Sequence, residues 1–494
     1  MAPTNRRPFG FDWEDWGRLD FQEVFARAVK RYDPDPARLY LTGHSMGGHG
    51  TWQIGATLPD AFAAIGPSAG WTSFWSYVGA AEFDDSGDLT IPSILMRAVR
   101  QSDTLALARN YLHYGIYILH GEKDDNVPAT EAHAMVEHLS DYHPDFMYHE
   151  EPGAGHWWGN RCCDWPPMME FFEQRARPAD AESMHVEFVT VNPASSSASR
   201  WCTINSQLQP LQPSRVVADY LPSSLQYNIV TENIATMAID AIHPEAGRSF
   251  EVVLDGQAPM TIEAVSGSAT RLWFERDRDS HVWSLLDQQP PLTHKGAHRA
   301  GQFKAAFRNH MVFVYGTNGT FDENDWAREK ARYDAETFWY RGNGSVDVIP
   351  DHEFDAKRYA NRNVILYGHA DMNAAWESLL AESPVQAKRG RLTVGQQVID
   401  NRDDLLCLFI RPRPDSNTAS VGVICGTGVS GMRLADRLPY FVSGIGYPDC
   451  LVMSPDVLQQ GADAILVAGF FGNDWSVGNG EFAWNRELLP PVSQ

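Results

Sequence analysis

The segment around Ser45 constrains this chain more than any other. Arg38-Leu-Tyr-Leu-Thr-Gly43 reads as a short strand. A helix then runs to about Leu58, where Pro59 stops it. The corner between them is Gly43-His44-Ser45-Met46-Gly47, a G-x-S-x-G block between strand and helix. A turn this sharp calls for small residues two places either side of the serine. Gly43 and Gly47 supply them, and Gly48 lets the helix lie close to the strand. The Ser45 hydroxyl is then expected at the edge of a sheet, with the Met46 N–H aimed where an oxyanion would form. A glycine-rich turn carrying an idle serine fits the same five residues, so the block needs partners.

Two later segments supply candidates. A strand over Tyr114–Leu119 runs into His120-Gly-Glu-Lys-Asp124-Asp125-Asn126-Val-Pro128, and a carboxylate just beyond a strand end can orient an imidazole. We expect Asp124 to orient it, with Asp125 and Asn126 shaping the turn and the start of the next helix. A strand over Phe146–His149 runs into Glu151-Pro-Gly-Ala-Gly-His156-Trp-Trp-Gly159, a glycine-rich loop that can carry His156 over the serine. Serine, aspartate and histidine in that chain order, each at a strand end, are the arrangement of an α/β-hydrolase. The three blocks resemble the prolyl oligopeptidase family of serine hydrolases and its esterase relatives, over about residues 10–177. The resemblance implies Ser45 as nucleophile, Asp124 as the triad acid and His156 as general base and then acid. It leaves open whether a peptide or an ester is cleaved. The region beyond does not resemble the propeller that usually accompanies the family's peptidases.

Serine is a weak nucleophile until a base takes its proton, so such a site works through His156, an acyl-enzyme and water. It calls for no metal and no organic cofactor, and the expected substrate is a small peptide or ester. Trp71, Phe74, Trp75, Trp157 and Trp158 are candidates for the wall of a substrate pocket, or for packing alone. One expectation runs the other way. Only one helix, read over about residues 16–32, and one strand precede Ser45. An α/β-hydrolase domain normally has several strands there, and the loop after the third gives a second oxyanion N–H. The domain is therefore expected to lack its N-terminal strands and to expose the 38–43 edge. A catalytically inactive binding protein is the competing class.

Strands alternating with helices fill residues 1–178, as in a parallel sheet covered by helices. From Val186 the residues read as strands and turns, giving a mostly β module over 183–305. Alternation returns from Met311, giving a second α/β region over 306–494. In that region Gly426-Thr-Gly428-Val-Ser-Gly431 follows a strand and imitates a dinucleotide fingerprint, with Asp449 and Asp456 as candidate acids. Too little chain follows for both nucleotide-binding halves, so a structural glycine turn is expected. Tyr315-Gly316-Thr-Asn-Gly319 and Tyr367-Gly368-His369 are similar strand-end turns at a crevice that could hold a ligand, and His369 reads as a surface residue.

Composition removes other classes. The 494 residues carry 40 Lys plus Arg against 63 Asp plus Glu, a net charge of −23. A chain this acidic suits neither nucleic acid nor an anionic membrane surface. No apolar run approaches the roughly 20 residues that span a bilayer. Met1-Ala-Pro-Thr-Asn-Arg-Arg7 has basic residues with no apolar stretch behind them, so no secretory signal is expected as written. Six cysteines make no disulfide framework. The adjacent Cys162 and Cys163 fit neither a C-x-x-C metal site nor a C-x-x-C redox pair.

Overall fold

The computed structural model describes residues 1–4, 12–78, 87–242, 247–263 and 270–489. They form two compact units, one of Met1–Glu82 and Arg100–Pro290, the other of Phe83–Val99 and Pro291–Gln494.

The first unit opens with α1 (Asp15–Tyr32), which has an acid in its first turn and Lys30 and Arg31 in its last, matching the helix dipole. Asp33 ends it in the left-handed conformation at φ 44°, donating its N–H to the Val29 carbonyl. Then follow β1 (Tyr40–His44), α2 (Met46–Thr57), β2 (Ala64–Ser68) and α3 (Phe74–Val78). After α4 (Ile91–Val99), which belongs to the second unit, come β3 (Gly115–Gly121), α5 (Thr130–Ser140), β4 (Phe146–Glu151) and α6 (Pro166–Glu173). The four strands make one parallel sheet in the order β1-β2-β3-β4. β2 and β3 are wholly buried, whereas β1 is an edge strand and half-buried. Between β1 and the apolar side of α1 lies a groove of about 280 Å³, lined by Phe21, Phe25, Tyr40, Leu41 and Phe62 among others. One face of the sheet is covered by α6, whose Met168, Phe171 and Phe172 pack with Tyr117 and Leu119.

The mostly β region of this unit is a sandwich of two five-stranded sheets. One has the order Trp283–Leu286, Thr270–Arg276, Ile234–Ala241, Cys202–Gln207, Ala198–Ser199. The other has the order Met260–Glu263, Ser249–Leu254, Gln226–Glu232, Ser214–Leu221, His185–Thr190. Inward residues of both sheets, among them Phe188, Ile229, Met237, Phe250 and Phe274, share one core. Asn110 ties this sandwich to the parallel sheet's helices. Its amide donates to the carbonyls of Ala56 (2.7 Å) and Val189 (2.8 Å) and accepts from the Val189 N–H (2.8 Å).

The second unit is built on an eight-stranded sheet. Asp347–Pro350, Val312–Tyr315, Val364–Tyr367 and Ser420–Gly426 run parallel. Leu406–Pro412, Cys450–Met453, Ile465–Phe470 and Glu481–Trp484 continue it antiparallel. The helix α7 (Phe321–Gly342) follows the strand Val312–Tyr315. Although α4 precedes β3 in the chain, it packs on this unit: Arg97 pairs with Glu481 at 2.6 Å and lies over the ring of Phe470. Among the described residues no helix is long and apolar enough to cross a membrane.

Candidate active site

Ser45 directly follows β1 and is the N-cap of α2, at φ 59° and ψ −117°. A non-glycine residue in that region is strained, and strain of this kind concentrates where a side chain must be aimed. The corner is held from three sides. The Ser45 N–H donates to the Ser68 carbonyl of β2 (2.9 Å), and the Ser45 carbonyl accepts from the N–H groups of Gly48 and His49. A Cβ on Gly43 would run into the Gly47 carbonyl, and one on Gly48 into the Ser68 carbonyl and Gly70. A Cβ on Gly47 would meet nothing. The expectation for Gly47 is thus corrected: the close approach is made possible by Gly43 and Gly48. Met46 opens α2, so its N–H lies in the first turn, at the positive end of the helix dipole.

The structure brings Ser45, His156 and Asp124 together. Nε2 of His156 stands 2.9 Å from the Ser45 hydroxyl, and Nδ1 stands 2.8 Å from one Asp124 oxygen and 3.0 Å from the other. His156 is 4% exposed. Its loop is fastened to the Asp124 loop, because the Lys123 N–H donates to the Ala154 carbonyl (2.7 Å) and the Gly153 N–H to Glu122 (2.6 Å). Asp124 has a second task. Its Oδ1 accepts the N–H groups of Asn126 (2.9 Å) and Val127 (2.8 Å). The expected division of labour is corrected here. The one carboxylate that is hydrogen-bonded to the histidine also closes the turn, while Asp125 is exposed.

Of the four candidate pocket tryptophans, Trp157 is 69% exposed, with its ring 4.3 Å from that of His44 and edge-on to His156 at 5.2 Å. Trp158 meets Trp165 at 5.7 Å, on the core under α6. Trp71 is 5% exposed and stacked between His49 and Tyr77, which is packing rather than an open wall. Trp75 lies in α3, and its side chain falls outside the described residues.

His44 fills the variable position of the G-x-S-x-G block, where the motif asks nothing of it. Its ring lies 4.8 Å from that of His156, and burial, with His156 beside it, pushes its pKa down to about 4. It is a neutral ring beside His156 at neutral pH.

The crevice of the second unit is closed by its own bonds. The N–H groups of Gly316, Asn318, Gly319 and Thr320 donate to Tyr367, Met372, Asn324 and Glu323 respectively. His369 is fully buried, which corrects its expected surface position. Gly426, Gly428 and Gly431 press against the backbone of 403–405, as a structural turn does. Asp449 is buried and accepts from Lys295 Nζ (2.6 Å) and the N–H groups of Gln302 and Phe471.

With this geometry in place, the comparison with known families applies to the segment that carries it. Residues 6–176 match the prolyl oligopeptidase family. That match covers about a third of the chain, from before α1 to just beyond α6. An uncharacterized secreted protein of Arthroderma benhamiae is 25% identical over 502 positions, which take in 97% of this chain and 52% of that protein. The chain therefore spans about half the length of that curated relative. Among solved structures, a puromycin-hydrolyzing peptidase of Mycobacterium tuberculosis is 23% identical over 32% of this chain and 25% of its own, with TM-score 0.27. A putative dipeptidyl aminopeptidase IV of Bacteroides ovatus is 17% identical over 32% and 22%, with TM-score 0.26. A thermostable esterase is 20% identical over 33% and 38%, with TM-score 0.24.

Proposed function

We propose that the chain is a serine hydrolase of the prolyl oligopeptidase kind, which cleaves a small peptide substrate through an acyl-enzyme on Ser45. The observation that carries this reading is the relay from the Ser45 hydroxyl through the His156 ring to Asp124, at 2.9 and 2.8 Å. His156 Nε2 takes the serine proton as Ser45 attacks the scissile carbonyl. Asp124 holds the ring with its proton on Nδ1 and stabilises the imidazolium. His156 then passes the proton to the leaving amine, and water repeats the cycle on the ester. The Met46 N–H and the α2 dipole favour the oxyanion. Trp157, exposed beside His156, offers an apolar wall to the substrate.

The test is labelling with a fluorophosphonate probe. One modified serine, Ser45 by peptide mapping, is the expected result, and Ser45→Ala removes the label and costs on the order of 10⁶-fold in kcat. A label on another serine, or one that survives in Ser45→Ala, overturns the assignment.

A further inference from the structure

The two adjacent cysteines that no local motif explains lie beside His44. Cys162 ends a short turn after the His156 loop and is 1% exposed, while Cys163 is exposed. Their sulfurs are 3.8 Å apart. One ligand atom from each of His44, Cys162 and Cys163 falls within 4.8 Å of the other two.

The hydrogen bonds decide which nitrogen of His44 is available. The Ser68 hydroxyl donates its only proton to the Cys162 carbonyl (2.6 Å), because a carbonyl can only accept. Its oxygen must therefore accept from His44 Nδ1, 3.0 Å away, so the ring proton sits on Nδ1. Nε2 keeps its lone pair, is buried, and has no partner among the described residues. An imidazole whose far N–H is anchored in this way is the usual form of a metal-binding histidine.

We propose that His44 Nε2, Cys162 Sγ and Cys163 Sγ bind one Zn²⁺ ion, which fastens the loop after β4 to the end of β1. The spacing fits, since two thiolates about 2.3 Å from a tetrahedral Zn²⁺ stand roughly 3.8 Å apart. The donor set fits as well: two thiolates and a neutral imidazole select a thiophilic ion over Mg²⁺ or Ca²⁺. Two thiol protons leave on binding, so the dication and two thiolates make a site of no net charge. The fourth position is free for water, and Cys163 gives the ion a way in from solvent. The site rests on these distances and on the proton placement in the His44 ring, and does not depend on the catalytic reading.

Co²⁺ is the probe, added to the full chain reduced with a non-chelating phosphine. The expected result is one equivalent bound with a near-ultraviolet thiolate-to-cobalt charge-transfer band, displaced by Zn²⁺. An exchangeable hyperfine-shifted proton signal should mark the Nδ1–H of an Nε2-bound imidazole. Cys163→Ser, at an exposed position, should fold as wild type by circular dichroism. It should weaken Zn²⁺ binding by more than the roughly 10- to 100-fold that losing a supporting partner costs. Zn²⁺ should raise the melting temperature of the wild type and not that of Cys163→Ser. Absence of the band, absence of the shifted proton, or unchanged affinity in Cys163→Ser overturns the proposal.

Discussion

Two histidines in this molecule stand just past the end of a parallel strand, buried and hydrogen-bonded to a carboxylate. His156 meets Asp124 at 2.8 Å and His369 meets Glu323 at 3.2 Å. They differ at the other ring nitrogen. His156 Nε2 faces Ser45, which a strained corner holds at φ 59°. His369 Nδ1 has no partner among the described residues, and its carboxylate is also clamped by Arg389 at 2.6 and 2.9 Å. A carboxylate–histidine pair is thus an ordinary way to finish a strand end. What singles out the first pair is a serine hydroxyl, held by an uncommon backbone conformation, within hydrogen-bond reach of the imidazole.

The largest expected difference between the pairs is in turnover. Asp124→Asn should lower kcat on an activated ester by on the order of 10⁴-fold, because the amide cannot hold the ring with its proton on Nδ1. Its carbonyl oxygen can still accept from Asn126 and Val127, so the turn should survive and the fold with it. Asp125→Asn should cost less than about tenfold, since that residue is exposed and stands outside the relay. Glu323→Gln should leave kcat unchanged. A turnover loss in Glu323→Gln to match Asp124→Asn would break the comparison.

The glycine corners give a smaller and sharper contrast. Gly48→Ala forces a methyl into the Ser68 carbonyl, and Gly431→Ala forces one into the Leu405 carbonyl. Each should cost roughly 3 kcal/mol in thermal or denaturant unfolding. Only Gly48→Ala should also slow fluorophosphonate labelling, because only that corner sets a serine hydroxyl against an imidazole. Gly47→Ala has open space and a helical position, so it should stabilise by about 0.5–1 kcal/mol. Loss of stability in Gly47→Ala would return that residue to the role its place in the motif suggested.

How far the sequence revealed these sites depends on how local their causes are. The three blocks were legible because each rests on its own strand end. α1 could be read from Phe21 to Tyr32 because apolar side chains recur along one face. Phe250–Leu254 could be read as a strand, and Ser249–Leu254 alternates buried residues with half-buried or exposed ones as a half-covered strand does. Cys202–Gln207 was not legible. All six residues are buried, and four of them, Thr203, Asn205, Ser206 and Gln207, are polar, with Asn205 and Ser206 tied across to Thr236, so no alternation marks the strand. α4 hides its allegiance for another reason, since Arg97 finds Glu481 and Phe470 hundreds of positions later. Nor could Asp124's double duty be seen, because both acids of the Asp124-Asp125 pair suit a turn. His44 meets the cysteines only when β1 ends beside the loop that follows β4.

The smallest effect expected is a pH dependence, and it tests whether the second pair is structural. The Arg389 guanidinium holds Glu323 down to a pKa of about 2 against its ordinary 4.5, helped by the Thr320 N–H and His369 and opposed by burial. The folded value lies below the unfolded one, so the unfolded chain binds more protons between those limits. Stability from this group is present above about pH 4.5 and is lost as the pH falls toward 2. Arg389→Ala removes the leading cause of the shift. The Arg389 side chain is 46% exposed and water screens the pair, so the loss should be on the order of 1 kcal/mol at neutral pH. The deficit should shrink as the pH falls below 4.5 and vanish only below about 2, once the wild type also carries a protonated Glu323. Denaturant unfolding of wild type and variant, followed by circular dichroism from pH 7 to 2, reads it. A deficit that stays constant from pH 7 down to 2 would mean that Arg389 acts through packing alone. The carboxylate of the second pair would then not be the element that Arg389 secures.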